Sequence, residues 1–73
     1  MADRYCIWSF EHEAWWAPNR CGYTRDLAAA GRYDAAEAGH ILADANIVRE
    51  EERAIHETQA AAWFEWLQQV KVK

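Results

Sequence analysis

The chain has 73 residues, among them five Trp, three Tyr and two Phe, and a formal net charge of −4. That length makes one domain, and at this size only about 60% of the unfolded-chain surface is buried, so large aromatic side chains must carry the core. No apolar run approaches membrane-spanning length, the N-terminus lacks the apolar core of a signal peptide, and two cysteines do not make a secreted disulfide framework. These features argue against a membrane or secreted protein and predict a cytosolic one with reduced thiols. If the first strand lies beside the loop holding Cys21, a disulfide to Cys6 is geometrically possible in an oxidised sample, but incidental.

Charge is unevenly placed. Residues 1–33 carry four basic and four acidic side chains, net zero, whereas residues 34–73 carry four basic and eight acidic, which accounts for the whole −4. An acidic half is repelled by nucleic-acid phosphates and suits a basic partner surface. Neither direct nucleic-acid binding nor membrane binding is expected.

The organising stretch is Trp8 to Thr24, which gathers three of the five tryptophans and the only proline into one hairpin-like unit. Arg4 to Ser9 is rich in strand formers and predicts a first strand, with Tyr5, Ile7 and Ser9 on one face and Cys6, Trp8 and Phe10 on the other. Phe10–Glu13 reads as a polar turn. Ala14–Ala17 reads as the returning strand, stopped at Pro18. Trp15 and Trp16 then point to opposite faces, so one aromatic face needs a loop or a partner to cover it. The segment 19–31 is one candidate cover.

Asn19 to Gly22 has turn chemistry, with Gly22 free to take positive φ. Thr24 is placed to cap a short helical turn over 25–30 that Gly31 closes. Arg32 and Tyr33 can add a short edge strand. Asp34 and Glu37 fit a capping box opening a helix over 35–45, whose stripe of Ala38, Ile41, Leu42 and Ala45 faces the core. From about 48 to 70 the pattern predicts one long helix, with a break near its start as the alternative. Val48, Ile55, Gln59, Ala62, Trp66 and Val70 share its stripe, which makes Trp66 core along with Trp8 and Trp63. Phe64 falls on the outer face, unless a kink near 57–60 turns it inward. The expected fold is α+β in a single domain, 1–73: a small N-terminal antiparallel hairpin (about 4–17) or three-stranded sheet packed against two helices, the C-terminal one long.

Catalytic chemistry is not visible. There is no nucleophile elbow, no Gly-rich phosphate loop and no metalloprotease helix, so the chain reads as a non-enzyme without cofactor. Glu37, His40 and Asp44 share a helical face and could in principle hold a metal, but read better as a solvated face whose charges support one another. His12 reads as a turn residue making local hydrogen bonds, and His56 as a surface residue. The candidate partner-binding residues are Trp15, Trp16 and Tyr23 on the hairpin, with Glu50, Glu51, Glu52, Glu57, Phe64 and Glu65 on the long helix. A ring on the outer helix face beside Ala60 and Ala61 also suits a second copy of the chain, so a homodimer is the alternative use of that surface.

The run Trp8-Ser9-x-Glu11-His12-x-Ala14-Trp15-Trp16-x-Pro18-Asn19-x-x-Gly22-Tyr23-Thr24, followed by Ala30-Gly31-x-Tyr33 and Glu37-Ala38, resembles a family of small phage and prophage proteins. The resemblance covers about half the chain, and the C-terminal half departs from it. By size, acidity and implied origin the chain is similar in type to anti-CRISPR inhibitors. That similarity implies binding to the basic DNA-binding surface of a type I CRISPR effector complex (Cascade) in the host cytoplasm, or, as the alternative, a small phage structural or accessory role through self-association.

Overall fold

A computed structural model describes residues 3–45 and 52–71. The chain forms β1 (Arg4–Ser9), β2 (Ala14–Trp16), β3 (Tyr23–Thr24), β4 (Tyr33–Asp34), α1 (Ala35–Ala45), β5 (Glu52–His56) and α2 (Glu57–Lys71), an α+β fold as expected. All strand pairs are antiparallel, and β1 is the centre.

β5 pairs with β1 along its whole length, from Tyr5 opposite His56 to Ser9 opposite Glu52. A strand has two edges, so β2 and β4 share the other one. β2 pairs at Trp8 and Ser9, and β4 at Arg4 and Tyr5. Between them the Gly31 amide donates to the Trp16 carbonyl at 2.8 Å. The Tyr33 hydroxyl donates to the Ala17 carbonyl and accepts from the Arg20 amide at 3.0 Å. A Cβ on Gly31 would lie 2.8 Å from Tyr33 Cε2 and 3.0 Å from both Ala17 O and Pro18 Cα. Glycine is therefore needed here for close approach of two backbone segments. The expected helix-closing role falls to Ala30, which ends a 3-10 turn over Leu27–Ala29. That turn is capped by Asp26, whose Oδ1 accepts from the Ala28 amide at 3.0 Å, and Thr24 instead braces Asp26.

Each face of the sheet has its own helix, because residues alternate along β1. Cys6, Trp8, Trp15 and Ile55 face α2, where Ala60 and Leu67 are buried and Trp63 and Phe64 pack against them. Leu27 and Ala30 close the same core, so the segment 19–31 does fold over the Trp15 face. Ile7 and Tyr33 face α1 and meet Ala38 and Ile41, with Tyr5, Trp16, Leu42 and Ala54 at the margin. The Asp34 carboxylate accepts from the Glu37 amide at 2.8 Å and caps α1, as its sequence requires.

The long helix over 48–70 needs correction. Glu52–His56, expected to be helical, is the strand β5, and helix begins only at Glu57; residues 46–51, with Val48, Glu50 and Glu51, lie outside the described residues. The pull is tertiary: as helix, these residues would leave the second edge of β1 without hydrogen-bond partners, and a strand satisfies it. His56 then serves as the hinge. Its Nδ1 accepts from the Thr58 amide at 3.2 Å, capping α2, while Nε2 lies 3.1 Å from Asp3 Oδ1. Its ring also meets Tyr5 edge-on, so His56 is a half-buried junction residue rather than a bare surface one.

Candidate functional site

Restarting the helix at Glu57 resets its phase. The inward face becomes Ala60, Trp63, Phe64 and Leu67, an i, i+3, i+4, i+7 set. Phe64 is therefore not the outward ring expected from one continuous helix. It stacks at an angle on Trp8 (5.3 Å between ring centres) and edge-on against Trp15 (5.6 Å). Trp66, expected in the core, is turned outward and is 56% exposed.

Trp15 is likewise corrected as a partner-binding residue. It is 0% exposed, directly opposite Trp8 across the β1–β2 ladder, with Trp63 closing the cluster at 5.9 Å from each. A ring sealed in this way stabilises the fold and is not available to a partner. Trp16 is half-buried on the other face and meets Tyr23 edge-to-face at 5.8 Å.

What remains open lies at the turn end of the sheet. Tyr23 on β3 is 44% exposed and stacks face to face on His12, ring centres 3.9 Å apart and 21° from parallel. His12 is held in the turn by its amide, which donates to Ser9 Oγ at 3.1 Å. Phe10, expected to open the turn on the Cys6 and Trp8 face, is 42% exposed and touches Trp63 edge-on. Partial burial, and after it the Glu52 and Glu11 carboxylates, push the Tyr23 phenol above its ordinary value, so it stays a neutral hydrogen-bond donor. The turn end is thus a small aromatic platform in a negative field.

Of the other sequence-predicted residues, Glu52 is buried at the start of β5, with Glu50 and Glu51 immediately before it in the chain but outside the described residues. Glu57 is at the opposite end of β5, 3.6 Å from Arg32, whose guanidinium also holds the Leu27 and Ala30 carbonyls. Glu65 is exposed on α2. The structure thus brings Tyr23 and Trp16 together with His12, under the influence of Glu52 and Glu11, and leaves Trp15, Phe64, Glu57 and Glu65 out, with Phe10 on the Trp63 side. The added residues all sit in or beside the turn between two strands, which was the one available signal.

Both cysteines are free thiols. Burial pushes the Cys6 thiol above its ordinary value, against the Arg32 charge and with that of Glu57, so it is a protonated core residue and no nucleophile. Glu37 is 3.7 Å from Arg20, and among the described residues no group of three or more His, Cys, Asp or Glu converges as a metal site. Among the same residues, no helix is long and apolar enough to cross a membrane. Comparison of the chain with protein-family models, with curated proteins and with solved structures gives no match in any of the three.

Proposed function

We propose that the chain is a phage-encoded, non-enzymatic inhibitor that docks on a basic, DNA-binding protein surface of a type I CRISPR effector complex in the infected host's cytoplasm. Bound there, it keeps target DNA away. The observation that carries this reading is the exposed Tyr23–His12 stack, whose phenol is pushed above its ordinary value by burial and then by the Glu52 and Glu11 carboxylates. Negative charge steers approach to a Lys/Arg channel, and aromatic anchors supply affinity that salt does not screen. Glu50 and Glu51 directly precede Glu52 in the chain and add to its negative charge.

The test is retention of purified effector complex on the immobilised protein, read beside DNA binding by the same complex. Tyr23→Ala together with Glu11→Lys is expected to weaken retention about tenfold or more at unchanged melting temperature, and to restore DNA binding. Equal retention by wild type and variant, or effector complexes that bind DNA normally with the protein in excess, rules the reading out.

A further inference from the structure

One imidazole holds three parts of the chain together. His56 ends β5, lies opposite Tyr5 in the β1 ladder and immediately precedes α2. Its Nε2 is 3.1 Å from Asp3 Oδ1 and its Nδ1 is 2.7 Å from Thr58 Oγ1. The Thr58 amide points at the same Nδ1 from 3.2 Å. The Tyr5 ring meets the imidazole edge-on at 5.4 Å.

These partners select a single protonation state. A backbone amide can only donate, so Nδ1 must accept; a carboxylate can only accept, so Nε2 must carry the proton. The neutral Nε2–H form alone satisfies both. A second proton turns Nδ1 into a donor facing the Thr58 N–H. That amide lies in the first turn of α2, where the helix itself offers it no carbonyl. The Thr58 hydroxyl can rotate to accept the new proton, so the ring keeps a partner while the amide loses one. An imidazolium is also disfavoured at the positive end of the α2 macrodipole. At the other nitrogen the effect is opposite, because the hydrogen bond to Asp3 becomes an ion pair.

The neighbouring groups do not duplicate this exchange. Glu57, next in the chain, is 3.6 Å from Arg32. Arg53, on the same strand, borders the hollow on the α2 side that His56 also lines. The α1 residues beside Tyr5 and Ala54 are Ala35, Ala38, Gly39 and Leu42, none of them titratable.

We infer that His56 is a proton-driven coupler between the N-terminal segment and α2. Neutral, it caps α2 through Nδ1; protonated, it releases the Thr58 amide and holds Asp3 as an ion pair. The junction lies at the opposite end of β5 from Glu52 and is separate from the Tyr23 platform, so it stands whether or not that platform binds a partner.

NMR between about pH 8 and about pH 5 tests it, a window in which imidazoles titrate and most carboxylates stay ionised. At the upper end the ring nitrogens are expected to show the Nε2–H tautomer. On acidification the Thr58 amide resonance is expected to move upfield in step with the His56 ring protons. Its exchange protection is expected to fall about fivefold, as for one net hydrogen bond. Backbone order at Asp3, from amide relaxation, is expected to rise over the same range. In His56→Asn, whose side-chain oxygen can cap a helix but does not titrate, these responses are expected to vanish, which separates them from His12, His40 and the terminal amine. An Nδ1–H tautomer at the upper end overturns the inference, and that measurement needs no variant. A Thr58 amide that stays still while the ring titrates, or moves equally in His56→Asn, overturns it too. So does order at Asp3 that stays flat or falls, because the proton would then act on α2 alone.

Discussion

The two edges of β1 end differently. On the β2/β4 side the chain closes on itself: two short strands share the edge, Gly31 lets their connections touch, and Tyr33 ties the Pro18–Arg20 turn to the sheet. On the β5 side the ladder is longer and more regular, one five-residue strand in continuous register with a hollow on either face. The contrast runs through the tryptophans as well. Trp15 is sealed at the β2/β4 side, and Trp66 stands open on the helix that follows β5. Aromatic richness in a small chain is thus not one property: Trp8, Trp15 and Tyr33 are buried while Phe10, Tyr23 and Trp66 are exposed, and the pairing of β5 decides that Phe64 turns in and Trp66 out.

The sharpest way to break this contrast is to truncate both rings. Trp15→Ala is expected to cost about 3–5 kcal/mol in urea unfolding, since it opens a cavity among Trp8, Trp63 and Phe64, whereas Trp66→Ala stays within about 0.5 kcal/mol of wild type in the monomer. Similar losses for the two would erase the distinction. Gly31→Ala comes next, at about 1–3 kcal/mol, because the added methyl meets backbone of Ala17 and Pro18 that cannot rotate away. A neutral Gly31→Ala would mean that the closed edge is loosely packed. Smallest is Tyr33→Phe, at about 1 kcal/mol, from the lost hydroxyl bonds to Ala17 and Arg20. Its melting temperature should fall by a few degrees; no change would show that the ring alone locks the edge.

Near neighbours along the chain were the readable part. The alternation of β1, the turn at Phe10–Glu13, the opposite pointing of Trp15 and Trp16, positive φ at Gly22 and the Asp34 cap on α1 all follow from spacing and side-chain chemistry within a few residues. Of the candidate site, Trp16 was legible because strand alternation turns it away from Trp15, and Tyr23 as an aromatic just past the turn; that the two pair across β2 and β3 came from the fold. Glu-Glu-Glu-Arg-Ala-Ile-His, by contrast, carries good helix formers, and nothing local says that Glu52–His56 should be extended. That choice was made some 45 residues away, by the unpaired edge of β1.

The sequence by itself thus determined that a two-sided aromatic hairpin would organise an acidic α+β domain, because alternation and capping are local physics. Only the tertiary structure decided that β5 is a strand. With it came the phase of α2, the burial of Phe64 and the exposure of Trp66, because backbone hydrogen bonds to a distant strand outweigh helix preferences of a few tenths of a kcal/mol per residue.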